Sequence, residues 1–373
     1  FSVNKTLRMA RFLFIVQGEG RGHMTQAISL QALLQEAGHE LVAVLVGRSP
    51  NREIPAFFYQ HIQAPIESFD SPNFVTDAQK KGIKILPTIT HNLRNTRKYL
   101  GSLRKMHQLM QQYQPEVIIN FYDFLGGLYQ WKYKPAAPMF CIGHQYFLDH
   151  PRFEFPKGWL DQRLLKINSK ITSYRAYKKL ALSFQKYLDD FGNTVVVPPL
   201  LRAEVLAQVP ETQDFLLVYV NNDGYGEEIK KWHAQHREVR LHCFWDRKGA
   251  PEEEQLHENL CFHQIDDKKF LEKMRTCRGF VTTAGFESVC EAMYLGKPVM
   301  MVPVEGHFEQ HCNALDGSRA GAGVMSHHFN LSLLLDYIPQ HQSVHSAMKD
   351  WVAQAPAIFL KELESCLPQQ AEV

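Results

Sequence analysis

Between Thr283 and Gln310 the chain carries the groups that a bound phosphate and a polyol would need. Thr283, Ala284 and Gly285 are small, so a ligand can approach the backbone there closely. Where such a turn opens a helix, the unpaired N–H groups and the positive end of the helix dipole suit a phosphate. Glu291 lies one turn into the helix that follows, where a carboxylate can accept both hydroxyls of a ribose. Glu309 and Gln310 are expected on the loop after the next strand, at the sheet edge where open parallel sheets bind ligands. Far upstream, His23 opens another helix. An imidazole has the pKa to take a proton from an alcohol near neutral pH, although a histidine at this place also serves as a simple polar cap. A carboxylate holding the ring would separate the two roles. Asp123 follows an apolar run at the same sheet edge, but its own plainer role is to cap the turn at Gly126 and Gly127.

The elements that must position these groups follow from the apolar pattern. Arg11 to Gln17 (RFLFIVQ) reads as a parallel strand running into the loop GEGRGHM. Ala27, Leu30, Leu33, Leu34 and Ala37 then recur at helical spacing, and Leu41 to Val46 is the next strand, completing a βαβ unit. A dinucleotide fingerprint is available at Gly18 and Gly20. It fails where His23 replaces the third glycine and where the second strand ends Val46-Gly47-Arg48 without an acid. Pro115 to Phe121 and Met139 to Gly143 read as further strands, the latter followed by His144 and Gln145. Val195 to Leu200, with its two prolines, marks a change of domain. Phe215 to Val220 begins a second series, whose first turn holds Asn222 and Gly224 before a helix over 227–236. Leu241 to Trp245 and Leu260 to His263 are strands, and Ile265 to Asp267 open a helix. The strand Gly279 to Thr283, a helix over Glu287 to Leu295 and the strand Val299 to Val302 complete the half. The expected class is α/β, with two Rossmann-like domains facing across a cleft: 1–199, 200–345, and a broken helix over 346–373, split by Pro356, that packs back on the first domain.

In order, Gly285, an aromatic at Phe286, Ser288, Glu291, Gly296, Pro298, Pro303, the pair Glu309-Gln310 and Asn313-Ala314 resemble a known donor-binding signature. It is that of the two-domain nucleotide-sugar glycosyltransferases (GT-B fold), including natural-product glucosyltransferases and the peptidoglycan N-acetylglucosaminyltransferase. Thr283 stands where plant members carry a phosphate-contacting histidine, and the loop between Pro303 and Glu309 is slightly longer. The resemblance implies transfer of a sugar from a nucleoside diphosphate donor, with uridine the expected base, to an acceptor hydroxyl. His23 would be the base and Asp123 its orienting partner. Gly22, Asn222, Gly224, Ile265, Thr283, Ala284, Gly285, Phe286, Glu287 and Ser288 would surround the nucleotide. Glu291 would hold the ribose, Arg202 the diphosphate, and Glu309 with Gln310 the sugar hydroxyls. His144 would face the acceptor or act as a rival base. Retaining members carry a second glutamate two turns after the first, but the position two turns past Glu287 is Leu295, which favours inversion. No Asp-x-Asp triplet occurs, which disfavours the metal-dependent one-domain design. The site is expected to hold no metal and no resident cofactor, the UDP-sugar being a co-substrate. Two rivals stay open: a nucleotide-sugar 2-epimerase of the same fold, and a non-catalytic donor-binding or scaffold subunit.

The totals bound the partners. At 373 residues and 45% hydrophobic, the chain is long enough for two cores. A formal charge of +2 names no partner, and the seven cysteines form no CxxC pair, so they read as buried thiols in a reducing compartment. The N-terminal residues lack the apolar core of a signal peptide, and no apolar run approaches the length of a membrane span. A cytoplasmic protein is expected. Two basic stretches stand out: a helix over Ile83 to Tyr113, with Ile89, Leu93 and Leu100 on one face and Arg94, Arg97 and Lys98 on the other, and Lys157 to Lys186, interleaved with Trp159, Tyr174 and Tyr177. They read as solvated helices or as contacts for anionic lipid, consistent with a small-molecule or lipid-linked acceptor and peripheral membrane association on the cytoplasmic face. Nucleic acid is the weaker option, since no base-reading module appears.

Overall fold

Each half of the chain lays its apolar runs side by side as a seven-stranded sheet. The computed structural model describes residues 8–49, 53–72, 75–76, 83–84, 95–220, 223–247 and 249–368. The first sheet contains β1 (Arg11–Gln17), β2 (Glu40–Arg48), β3 (Ile66–Asp70), β6 (Val117–Phe121), β7 (Met139–Gly143), β8 (Lys178–Leu182) and β9 (Thr194–Val197), in the order β3-β2-β1-β6-β7-β8-β9. β4 (Val75–Thr76) and β5 (Ile83–Lys84) form a separate hairpin. The second sheet contains β10 (Leu216–Val220), β11 (Leu241–Trp245), β12 (Glu253–His257), β13 (Leu260–Gln264), β14 (Gly279–Thr282), β15 (Val299–Met301) and β16 (Gly323–Met325), in the order β12-β13-β11-β10-β14-β15-β16.

β1 pairs in parallel with β2 on one side and β6 on the other, and its five central residues are all buried. Helices cover both faces of such a strand, which is why its sequence is a continuous apolar run and not an alternation. β10 holds the same central position in the second sheet, between β11 and β14. After β1 the chain turns through Gly18 and Gly20 into the helix Arg21–Glu36. At Gly18 only glycine fits, because an added Cβ would sit 2.8 Å from the Gly47 carbonyl that accepts the Gly18 N–H.

One apolar core runs through both halves. Phe14, Val46, Leu180 and Val197 of the first sheet share it with Phe280 and Met301 of the second, with Val289 of the helix Phe286–Tyr294, and with Met348, Val352, Phe359 and Leu363 from the end of the chain. The helix His345–Val352 touches the second half where His345 Nδ1 meets the Tyr294 carbonyl, and the first where Trp351 Nε1 donates to the Ser183 carbonyl at 3.2 Å. The last helix, Ala355–Glu364, pairs Glu362 with Lys178 at 2.6 Å and Glu364 with His39 at 3.2 Å.

Several elements depart from the sequence reading. The helix expected from Ile83 begins at Thr96, and Ile83–Lys84 is a strand. Ile89, Leu93 and Arg94 lie outside the described residues. The second basic stretch is one helix, Trp159–Thr172, followed by the half-buried to buried β8. The helix expected over 227–236 spans Gly226–His233. The end of the chain is a broken helix as expected, but the break falls at 353–354, and Pro356 sits in the first turn of Ala355–Glu364, where its missing N–H costs nothing. β12 was not expected, since EEQLH holds no apolar run. It is the antiparallel edge of the second sheet, and charged residues on an edge oppose pairing with other chains. Among the described residues, no helix is long and apolar enough to cross a membrane.

Candidate active site

β14 ends at Thr282, and Thr283 to Gly285 turn the chain into the helix Phe286–Tyr294. Ala284 adopts the left-handed region, at φ 60°, and its carbonyl accepts from Asn313 Nδ2 at 3.2 Å, which fixes the turn. Gly285 caps the helix with no side-chain hydrogen bond, so the first-turn N–H groups stay open to a ligand. Thr283 Oγ1 and Asn313 Oδ1 are buried without a hydrogen-bond partner at the same turn. A buried hydroxyl left unpaired costs free energy that a bound oxyanion would recover. Ser288 differs, because its Oγ donates back to the Gly285 carbonyl at 3.1 Å.

The two groups expected on the ribose and the diphosphate bond each other. Arg202 Nε and Nη2 each lie 2.9 Å from Glu291 Oε1, with both side chains nearly buried. The carboxylate beside it raises the pKa of Arg202. Glu287 reaches the first half instead, accepting from Gln26 Nε2 at 2.6 Å. Burial raises its pKa to about 8. Gly22 backs this contact: a Cβ there would lie 3.3 Å from Glu287 Cγ. Arg21 and Asp267, at 2.9 Å, make a second bridge between the halves.

His23 stands in the first turn of the helix Arg21–Glu36 and is buried. Its Nδ1 lies 3.2 Å from Gln26 Oε1, and the Gln26 amide is turned by its own bond to Glu287. Nδ1 therefore donates, and Nε2 is left with its lone pair, 3.5 Å from Gln145 Nε2. Burial lowers the His23 pKa to about 4, so the ring is neutral at pH 7. Gln145 also donates to Glu309 Oε1 at 2.9 Å, and burial raises that carboxyl to about 7.

Asp123 does not meet His23 in this structure. Tyr122 takes the left-handed region at φ 60° and turns its own ring toward the imidazole, 6.1 Å between centroids. The Asp123 carboxylate instead caps the helix Phe124–Tyr133 through the Leu125 N–H at 2.8 Å and accepts from Ser71 Oγ at 2.9 Å. The orienting contact on His23 belongs to Gln26, three residues along the same helix. The sequence reading missed it, although an amide one turn from a histidine is a readable signal.

His144 lies at the end of β7 with Nδ1 donating to the Leu182 carbonyl at 2.7 Å, and burial lowers its pKa to about 4. Its ring stacks on Phe286 at 4.2 Å, so the aromatic of the signature packs against the first half. Asp316, 3.6 Å from His144 Nε2 and bonded to Tyr187 at 2.7 Å, was also not anticipated. Glu309 and Gln310 lie in the first turn of the helix Phe308–Arg319, not on a loop. Gln310 Oε1 accepts from the Val304 N–H at 2.8 Å and shapes the connection before it. Ile265, half-buried, follows β13 directly, and Gly224 lies in the short turn Asp223–Tyr225. Asn222 lies outside the described residues. The site thus joins the turn after β1, the start of the helix after β14, and Gln145 after β7, all at C-terminal strand ends.

Solved structures share this arrangement across nearly the whole chain. The calicheamicin glycosyltransferase CalG4 is 16% identical with a TM-score of 0.63, covering 98% of this chain and 100% of that one. A UDP-glucosyltransferase from Polygonum tinctorium, in complex with 3,4-dichloroaniline, is 15% identical at 0.62, covering 97% of each chain. The spinosyn rhamnosyltransferase SpnG, complexed with thymidine diphosphate, is 15% identical at 0.56, covering 95% and 100%. At these identities the likeness shows the fold, two Rossmann-like domains of the GT-B kind. No curated protein matches the chain by sequence. A family model does, over residues 10–340, from the start of β1 past β16 and so through every element of the site. The chain belongs to glycosyl transferase family 1 and is a glycosyltransferase.

Proposed function

We propose that this glycosyltransferase inverts the anomeric centre in a single displacement, moving a sugar from a pyrimidine nucleoside diphosphate, UDP in the first instance, to an acceptor hydroxyl. The observation that carries the reading is the state of His23: neutral, with Nδ1 donated to Gln26 and the Nε2 lone pair beside Gln145, which in turn touches Glu309 of the opposite half. The acceptor oxygen attacks the anomeric carbon as His23 Nε2 takes its proton, and the bond from carbon to the diphosphate oxygen breaks on the far face. The leaving diphosphate is stabilised by the open N–H groups before Phe286, by Thr283 Oγ1, and by Arg202 once it turns from Glu291. Glu291 then takes the ribose, and Glu309 with Gln310 the sugar hydroxyls. Asp123 keeps a place only as the cap of the helix Phe124–Tyr133. Charge on the diphosphate is met by these groups without a divalent ion, and the nucleotide sugar enters as co-substrate with no resident cofactor.

The uridine assignment follows the fit of a planar amide edge to the backbone around Ile265, and solved structures of this fold include a UDP-glucosyltransferase and a rhamnosyltransferase complexed with thymidine diphosphate. The acceptor is a small molecule or a lipid-linked one on the cytoplasmic side. The second is favoured by the helix Trp159–Thr172, where Trp159, Leu160 and Ile167 are exposed alongside Lys157, Arg163 and Lys170. His23→Ala is expected to lower turnover on the order of 10²–10⁴-fold while leaving donor affinity intact. Calorimetry with UDP and TDP sugars, followed by product analysis with and without chelator, tests each part. Undiminished turnover in the variant removes His23 as the base, and conversion of donor without any acceptor makes the protein an epimerase.

A further inference from the structure

On the outer flank of the second sheet, three strands bring four donor side chains onto one face. In the parallel register of β11 and β13, His242 lies beside Cys261. His263 is two residues further along and shares that face, because side chains alternate along a strand. Glu253 of β12 lies opposite His263 in the antiparallel register. The ligating atoms of His242, Cys261 and His263 all fall within 4.8 Å of one another. His242 Nδ1 and His263 Nε2 are 2.9 Å apart, sharing one proton, while Cys261 Sγ is 3.9 Å and Glu253 Oε2 3.5 Å from His263 Nδ1. Cys261 and His263 are only 2% and 1% exposed, so the group is held in place by packing.

We propose that His242, Cys261 and His263, completed by Glu253, bind a borderline-soft divalent cation of the zinc type. Bonds of about 2.0–2.3 Å place the ligands of tetrahedral zinc roughly 3.3–3.8 Å apart, and the ligating atoms of His242, Cys261 and His263, within 4.8 Å of one another, draw together to reach that spacing. The main adjustment is at His263, which faces His242 through Nε2 and Cys261 and Glu253 through Nδ1: its ring turns to give the ion one nitrogen, and the proton shared with His242 leaves that contact. A nitrogen, sulfur and carboxylate donor set suits zinc, cobalt or nickel and not magnesium or calcium. Binding releases the thiol proton of Cys261 to solvent. Lys269, now on Glu253, and Lys273, 3.4 Å from His242 Nε2, sit on the helix Asp267–Thr276 and turn outward as the ion enters. The sequence reading took the cysteines for inert thiols because it looked for CxxC pairs, and a Cys-x-His pair beside a histidine of the next strand escapes that search. The ion would fasten β13 two residues before Ile265, and it is independent of how sugar is transferred.

The test uses the full chain, stripped with chelator and titrated with Co²⁺. The expected result is a thiolate-to-cobalt charge-transfer band that saturates at a single ion per chain, vanishes when Zn²⁺ is added, and is lost in Cys261→Ser. In the parent chain, Zn²⁺ should also slow alkylation of Cys261, mapped by mass spectrometry, while the half-buried Cys366 reacts at an unchanged rate. Absence of the band in the parent overturns the proposal, and so does a band that persists in Cys261→Ser. The alkylation arm needs no substitution, so a variant that fails to fold leaves the proposal open to refutation.

Discussion

Arg202 and Glu291 illustrate how a single pair can serve both stability and binding. With no ligand the guanidinium and the carboxylate satisfy each other in a nearly water-free place. Removing one partner of such a pair leaves the other charge buried and uncompensated, which costs more than the pair itself contributes. Arg202→Ala is therefore expected to lose about 3 kcal/mol of stability in urea denaturation, and adding Glu291→Gln to it should restore most of that loss. Equal stability of the single variant and the parent would show that the pair is not mechanically coupled to the fold. The places of these two residues, one turn into a helix and at a domain crossing, were legible in the sequence. Their mutual bond was not, because it joins positions 89 apart and depends on how the connection after β9 lies against the second sheet. Asp123 took its plainer capping role, and not the one beside His23, for a related reason. Pattern places it at the correct sheet edge, but one left-handed residue, Tyr122, decides which way its carboxylate points.

At the scale of elements, the site is two helix starts pressed together. The helix Arg21–Glu36 approaches Phe286–Tyr294 closely at Gly22, and the contact is closed by Gln26 and Glu287. Glu287 titrates from 4.5 to about 8 on burial, so folding favours its protonated form. Its contribution to stability is complete below the unfolded pKa and is lost as pH rises through about 8. Glu287→Gln keeps the shape without the charge. Its melting temperature should fall less than the parent's between about pH 5 and pH 9, as read by calorimetry across that range. Superimposable profiles would mean that Glu287 does not face this burial. The elements themselves were mostly readable, since continuous apolar runs and helical spacing mark β1, β10 and β14 plainly. β12 was not, because an edge strand needs no apolar face, and the register that gathers His242, Cys261 and His263 exists only once β11 and β13 are paired.

For the whole molecule, the exposed side chains of the helix Trp159–Thr172 join apolar bulk to positive charge. Trp159 is 73% exposed, an unusual place for so large an apolar side chain, and Lys157 and Arg163 flank it. Vesicles containing anionic lipid should retain the protein at low salt and release it as salt rises, whereas neutral vesicles should not retain it. Trp159→Ala should weaken retention without altering turnover on a soluble acceptor. Failure of the parent to sediment with anionic vesicles removes the lipid-surface reading.

The polypeptide passes between the two sheets twice, once after β9 and again at the break between Val352 and Ala355, with the helix His345–Val352 anchored on both sides. A pair of bodies tied by one strand can rotate about any axis, but two ties set apart behave as the pins of a door. Parting Gln26 from Glu287 would have to proceed about the line through them, and it would open the apolar core that the two halves share. Severing the chain near Gln354 would leave a single tie between the halves, a loss that a lower melting temperature of the nicked protein would register.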